Sequence, residues 1–319
     1  MGMGSDRPHS FRDGLKIAQR ILSREARLVS SGLVETESEQ IVLAAFRSAT
    51  GKIVNRLDLF LRIDDAIPTQ AADKILEWAT LRSEGRILQH LTGFQAFLDH
   101  EYEVNSSVLV PRPETETLVA TALDFIESDA GESTADLLGL EIGVGSGIIS
   151  IELLHSIPRL KMIGTELVQA AREVALRNSV HILGKGDTAL RFDLVPVDRA
   201  SDVLDTVKNK MANLRADFLI SNPPYLVAEK GASSEVDAEV FKHEPHTALF
   251  APDGDPLYFY RKIAEDAEYL LKPKGKVLVE IPHERAQMIV DCFENRQWVV
   301  ELFRDLNGRE RVLLAKKKG

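Results

Sequence analysis

Residues 137–153, LLGLEIGVGSGIISIEL, decide how the rest of the chain reads. A short run rich in Leu meets three glycines at alternate positions, Gly143, Gly145 and Gly147, and a longer apolar run follows. The first run has the length of a buried strand and the second that of a helix. Glycines between them let the backbone turn sharply and approach a ligand without interference from a Cβ. The pattern predicts strand, glycine loop and helix. It departs from the dinucleotide fingerprint G-x-G-x-x-G/A, whose third small residue packs helix on strand; Ile148 stands there instead. An acid, Glu141, precedes the loop by two positions. A carboxylate there repels a pyrophosphate but could receive the ammonium of an amino-acid-bearing cofactor, directly or through water. The bland alternative is a tight turn with no ligand.

Alternation continues on the C-terminal side. Strands are expected at 137–142, 160–165, 191–197, 216–221 and 276–281, with helices such as VQAAREVALRNSVHI and PLYFYRKIAEDAEYLL between them. This order predicts an α/β fold with a doubly wound, mostly parallel sheet. The end differs: QWVVELFRDLNGRERVLLAKK reads as two strands joined at Asn307-Gly308, an antiparallel C-terminal hairpin.

On the N-terminal side the pattern is helical. In DGLKIAQRILSREARLV, Leu15, Ala18, Ile21 and Leu22 share one face. TESE before QIVLAAF suggests a capping box with Thr36 as N-cap and Glu39 at the third position. NRLDLFLR is a short helix, and PTQAADKILEWATLRSEG a longer one stopping at Gly85. LTGFQAFLDHEYEVNSSVLVP alternates like a β-hairpin, and PRPETETLVATALDFIES opens a helix with Pro113 near its first turn. The expected organisation is a small helical domain at 1–88, a hairpin-like linker at 89–112 and an α/β domain at 113–319.

A chain of 319 residues is comfortable for two such domains. The formal charge is −10, and the first 90 residues hold 13 Lys and Arg against 12 Asp and Glu, so the acidity lies in the α/β part. That argues against a protein that coats nucleic acid, because phosphate contacts normally need a basic track. No apolar run approaches the roughly 20 residues of a membrane span. The N-terminus is polar, without a signal-peptide core, and the lone Cys292 cannot form an intrachain disulfide. A cytoplasmic, monomeric protein without membrane contact is expected.

With Glu141, Gly143, Val144, Gly145, Ser146 and Gly147 read as a cofactor turn, Glu166 ends the next strand, placed to accept two ribose hydroxyls. Both acids in register favour S-adenosylmethionine over a nicotinamide dinucleotide. Asp198 or Asp202, after the third strand, could reach an adenine amino group, or either is simply a helix cap.

The stretch ISNPPYL, 220–226, ends a buried strand in an unusually stiff corner. Pro fixes its own φ and Pro224 restrains the residue before it. In an open parallel sheet ligands bind beyond the carboxyl ends of the strands, so Asn222 faces the crevice of the glycine loop. Methyl transfer from a sulfonium needs an acceptor lone pair aimed in line, and an amide nitrogen is a poor nucleophile. Two hydrogen-bond acceptors, the Asn222 side-chain oxygen and the Pro223 carbonyl, would orient an NH₂ group and favour its developing positive charge. Tyr225 supplies a flat face for a planar acceptor. Asn222 thereby also borders the cofactor, and Pro223, Pro224 and Tyr225 border the acceptor. Arg112 and Glu114 line the crevice or only cap the helix after them. HEPH, 243–246, lacks the i, i+4 pair of a helical metal site, and surface packing near the site mouth is the expected role; no metal is expected. Tyr258, Phe259 and Tyr260 read as helix packing.

Together, EIGVGSG, GTEL and SNPPYL resemble the S-adenosylmethionine-dependent methyltransferases that methylate amino groups through an Asn-Pro-Pro-Tyr motif. RILQHLTGFQAF, VLVPRPETETLV, HEPHTALF, DGDPLYFYRKIAEDA and DLNGRERVLL narrow the resemblance to the release-factor glutamine N5-methyltransferases, over nearly the whole chain. The resemblance implies methylation of the glutamine in the Gly-Gly-Gln loop of class-1 peptide chain release factors. It also implies that the helical domain helps hold the factor. Gly143 to Gly147 and Glu166 would then serve the cofactor, and Asn222, Pro223 and Tyr225 the glutamine. Glu141 and Glu166 stand where the family usually has Asp, and His90 where it usually has Tyr. The alternative function is an adenine-N6 methyltransferase acting on RNA or DNA, since an exocyclic amine fits the same corner; a cofactor-binding module without catalysis is a third.

Overall fold

Apolar residues at helical spacing build the first compact unit, Met1–Phe94; the second is Gln95–Gly319. The structure is a computed structural model that describes residues 7–130, 136–197, 215–227 and 238–317, together with 205 and 209. The first unit holds α1 (Phe11–Leu22), α2 (Ala26–Ser30), α3 (Val34–Thr50), α4 (Arg56–Leu61), α5 (Thr69–Ser83) and α6 (Leu88–Thr92). Leu15, Ala18, Ile21 and Leu22 are buried as their spacing requires, in one core with Ile41, Ala45 and Ile75. Asn55 caps α4 through the Asp58 amide.

The cap expected at Thr36 is not formed. Helix α3 begins at Val34, with Leu33 as its N-cap residue and no side-chain cap. Gly32, at φ +70°, turns the chain out of α2 and straight into α3. The early start carries Glu37 inward, where its carboxylate accepts two hydrogen bonds from the buried Arg82 at 2.6 and 2.9 Å. The capping box of this unit is on α1 instead, between Ser10 and Asp13.

A two-stranded hairpin, β1 (Phe94–Phe97) with β2 (His100–Glu103), leads into the second unit. The buried Glu152 accepts a hydrogen bond from the Tyr102 hydroxyl at 2.8 Å and thereby holds β2 to the main body. Then follow α7 (Glu114–Ala130), β3 (Leu137–Ile142), α8 (Ile148–Ser156), β4 (Leu160–Glu166), α9 (Gln169–Leu183), α10 (Lys185–Arg191) and β5 (Phe192–Pro196). After them come β6 (Ala216–Ser221), α11 (Ala238–His243), α12 (His246–Leu249), α13 (Tyr258–Leu270), β7 (Leu271–Glu280), α14 (Ala286–Glu294), β8 (Trp298–Arg304) and β9 (Glu310–Lys317).

The seven strands lie in the order β5-β4-β3-β6-β7-β9-β8. Five are paired in parallel, and β9 alone runs the other way, antiparallel to both β7 and β8, as the Asn307-Gly308 turn predicts. Strand β7 starts earlier than expected, because Leu271 pairs with Ala216 before a register shift. Residues of β6 alternate between the two faces, as a buried strand must. Leu219 packs with Tyr260, Ile263 and Phe293 on one side, and Phe218 and Ile220 pack with Leu118, Ile149 and Leu153 on the other. Gly139 sits mid-strand in β3 because a Cβ there would collide with Met162 and Phe218.

Strand order reverses at β3. The chain runs outward through β4 and β5, then returns to place β6 on the other side of β3. Such a switch point leaves a crevice at the carboxyl ends of two neighbouring strands. Register sets Ile142 against Ser221, so the glycine loop and Asn222 leave the sheet side by side.

Candidate active site

The glycine loop takes the shape its composition demands. Gly143 and Gly145 have φ of +77° and +56° with open space where a Cβ would stand, so backbone conformation, not crowding, requires glycine there. Gly147 differs: at φ +91° it caps the start of α8, and a Cβ would press on Ile151 and Ala175. Asn178, buried on α9, donates to the Ser146 carbonyl at 2.9 Å and braces the loop from behind.

A cleft opens above this loop. Gly143, Val144, Gly145, Ser146 and Glu166 line it, with Val108, Leu167, Val197 and Phe259 as apolar walls. The Glu166 carboxylate accepts from the Gly145 amide and the Val168 amide, both at 2.8 Å. It thus ties the loop to the start of α9 while still bordering the cleft. Glu141 is placed otherwise. It is 1% exposed, does not line the cleft, and accepts from the Ser150 amide and hydroxyl in the first turn of α8. Its other oxygen, Oε1, is buried and has no hydrogen-bond partner among the described residues. Burial pushes its pKa up to about 8, against the pull of the Ser150 hydrogen bonds. Glu141 lies beneath the loop, at the end of β3, and is not part of the cleft lining. Asp198 and Asp202 lie outside the described residues.

A second cavity adjoins the first, and Asn222, Pro223, Pro224 and Arg112 line both. Tyr225, Glu114 and Glu280 line only the second. The corner is pinned just downstream, where Leu226 exchanges backbone hydrogen bonds with Leu249 and Ala251. Desolvation raises the Tyr225 hydroxyl to about 12, so it stays a neutral donor. Arg112 is no mere helix cap: it donates to Glu244 at 2.7 Å, and the Val110 amide donates to the same carboxylate. Glu244, from the HEPH stretch, is fully buried and clamps the residues before α7 instead of packing at the surface. Phe259 lines the cleft, beyond the packing role expected of its helix, whereas Tyr260 is wholly buried.

Two further residues at the corner, Thr115 and Glu280, are not among the site residues expected from the sequence. The Asn222 side-chain nitrogen donates to Thr115 Oγ1 at 3.3 Å, and that hydroxyl donates to Glu280 Oε2 at 2.7 Å. Register brings them together, since Ser221 opposes Val279 and the next residue on β7 is Glu280. The one available clue was an acid ending a buried strand, VLVE. Burial raises the Glu280 pKa to about 7, tempered by the Thr115 hydroxyl and by Arg311. The two cavities thus meet at an amide whose NH₂ end is bonded to Thr115, on the wall of the first cleft, beside Glu280, on the wall of the second.

No family model matches the chain. Curated relatives do. A release factor glutamine methyltransferase of Bacteroides thetaiotaomicron is 31% identical over 83% of this chain and 88% of its own length. One of Aquifex aeolicus is 30% identical over 95% of this chain and 94% of its own. A bifunctional methyltransferase of Rickettsia felis is 28% identical over 93% of this chain, which spans only 57% of that longer protein. No described helix is long and apolar enough to cross a membrane.

Proposed function

Because the chain belongs to the release factor glutamine methyltransferase family, we propose that it transfers a methyl group from S-adenosylmethionine to a release-factor glutamine. The acceptor is the side-chain amide nitrogen of the glutamine in the Gly-Gly-Gln motif. The observation that carries this reading is the position of Asn222, at the rim shared by a cleft above a glycine loop and a second, more polar cavity.

The residues present suit the cofactor. The Cβ-free backbone of the positive-φ glycine loop would let its polar parts approach closely, the rim carboxylate of Glu166 would accept from its hydroxyls, and Val108, Leu167, Val197 and Phe259 would enclose its apolar parts. When bound, S-adenosylmethionine supplies an activated methyl group on a sulfonium. Glu141 would act from behind the loop, stiffening the start of α8 through Ser150. Asn222 Oδ1 and the Pro223 carbonyl accept the two N–H groups of the glutamine, which stops the amide from rotating and aims its nitrogen into the cofactor cleft. As the nitrogen loses conjugation and gains positive charge, both acceptors bind it more tightly than in the ground state. Tyr225 packs on the carboxamide plane, and Arg112 and Glu114 border the passage. The proton leaves after transfer, when nitrogen is acidic, so no base is required beforehand.

The helical unit helps hold the factor; the exposed Ile53, Leu57, Phe60 and Leu61 support that role. On this reading the enzyme works in the cytoplasm as a monomer, on protein and without binding nucleic acid directly. Labelled S-adenosylmethionine tests it. The protein should label an unmodified release factor, and neither its Gln-to-Ala loop variant nor bare RNA. Labelling of RNA alone would replace the proposal with a nucleic-acid methyltransferase.

A further inference from the structure

We infer that Thr115 and Glu280 are positioning residues that set which end of the Asn222 carboxamide faces the acceptor. The inference deepens the proposed reaction and rests on that reading for the acceptor's identity. A carboxamide is nearly symmetric in shape but opposite in polarity at its two ends. With Nδ2 bonded to Thr115, Oδ1 is the end left to accept from an acceptor NH₂. Flipped, it would present its own NH₂ to another NH₂, and the corner would repel the group it must orient.

The rigid prolines cannot prevent that flip, because it is a rotation of the side chain alone. Hydrogen-bond bookkeeping behind Asn222 can. An ionised Glu280 only accepts. Thr115 has a single hydroxyl proton, and it goes to Glu280 Oε2 at 2.7 Å. Its oxygen is left to accept, and the group it accepts from is Asn222 Nδ2, at 3.3 Å. Each bond dictates the next, and the Glu280 carboxylate, which also accepts directly from the Asn222 side chain, fixes the polarity of the whole group. A protonated Glu280 breaks this rule. It can donate to Thr115, whose hydroxyl then turns to donate to Asn222 Oδ1, and the amide flips.

The surroundings suit such a polarity anchor. Glu280 is 4% exposed, and its backbone carbonyl accepts from the Tyr260 hydroxyl at 2.9 Å, so the strand end is held from a third side. Charges facing it are Arg311 on β9, which favours the ionised form, and Glu114 on α7, which opposes it. Tyr225 stands beside it on the corner, and Glu284 and Arg285 follow on the chain past β7. The balance leaves the Glu280 pKa at about 7, inside the range where an enzyme works. The sign follows directly: the productive amide orientation is present above that value and lost as pH falls through it.

The test compares full-length protein with E280Q, T115V and T115S. Turnover on an unmodified release factor is followed from about pH 6 to about pH 9, with cofactor affinity and the NMR signals of the Asn222 side-chain amide. Wild type should gain turnover as pH rises through about 7, and the Asn222 signals should move over the same interval. E280Q, whose own amide can donate to Thr115, should lose about 10-fold to 100-fold in turnover and lose the acid limb, with cofactor affinity unchanged. T115V, which keeps only the direct Asn222–Glu280 bond, should fall by less than E280Q, and T115S, which keeps the hydroxyl, should recover both rate and pH profile. Asn222 signals in E280Q should no longer follow pH. E280Q with wild-type turnover, or wild-type Asn222 signals indifferent to pH, overturns the inference even though release-factor methylation stands. The NMR arm needs no acceptor, so Asn222 signals that follow Glu280 in a protein inactive on release factors sustain the inference and sink the substrate assignment instead.

Discussion

Asn222 and its neighbours separate two duties that single substitutions can tell apart. Asn222 touches the acceptor in the proposed complex, while the glycine loop and Glu166 face the cofactor. Asn222→Ala should therefore lower turnover about 100-fold or more and leave cofactor affinity nearly unchanged, as measured by single-turnover labelling and calorimetry. A parallel loss of cofactor affinity would contradict the division. Glu141 makes a different prediction. Its folded pKa of about 8 is raised from the usual carboxylate value, so the native state holds a proton that the unfolded chain releases. That contribution to stability is complete below the unfolded value and is lost as pH rises through about 8. Urea melts of the cofactor-free protein should show stability falling across that window, and Glu141→Gln should flatten the fall. The glycines, Glu166 and the Asn-Pro-Pro-Tyr corner were legible because their chemistry lies in residue type and short spacing. Thr115 was not, lying 107 positions from the amide it orients. Nor was Glu244, whose partner Arg112 is 132 positions away.

Helices and strands obey their local signals where nothing distant competes. Ser10 accepts from the Asp13 amide while the Asp13 carboxylate accepts from the Ser10 amide, a closed cap at the start of α1. Ser10→Ala should cost about 1 kcal/mol, read from denaturant melts. Thr36 shows the opposite case: TESE has the composition of a cap, but Gly32 and the buried Glu37–Arg82 pair draw the helix start back to Val34. Helix α4 leaves Leu57 and Leu61, one turn apart, 68% and 75% exposed. If that face holds the factor, Leu57→Asp with Leu61→Asp should raise KM for the release factor several-fold and leave cofactor affinity alone. Equal KM values for wild type and the double variant would remove the face from the binding surface.

Each of the two units has its own core, and each carries one of the two tryptophans, Trp78 and Trp298. Glu37 and Arg82 lie inside the first, both nearly buried. Glu37→Ala removes the carboxylate from the buried guanidinium, which keeps its bond to the Arg86 carbonyl, at a cost of about 3 kcal/mol. Trp78 fluorescence should report that loss, with Trp298 replaced by Phe to isolate the signal, while cofactor affinity stays the same. Hydrophobic period and turn residues were sufficient to read, from the chain alone, helices followed by an alternating α/β part, the closing hairpin, the glycine loop and the stiff corner. These follow from backbone sterics and burial within a few neighbouring residues, which act wherever such residues occur. Folding in three dimensions decided which strand lies beside which, and so which polar groups share a hydrogen-bond row. Glu141 withdrew behind the loop, Glu244 clamped Arg112, and Thr115 with Glu280 came to stand behind Asn222, because a buried donor or acceptor must find its partner across the sheet, whatever the distance along the chain.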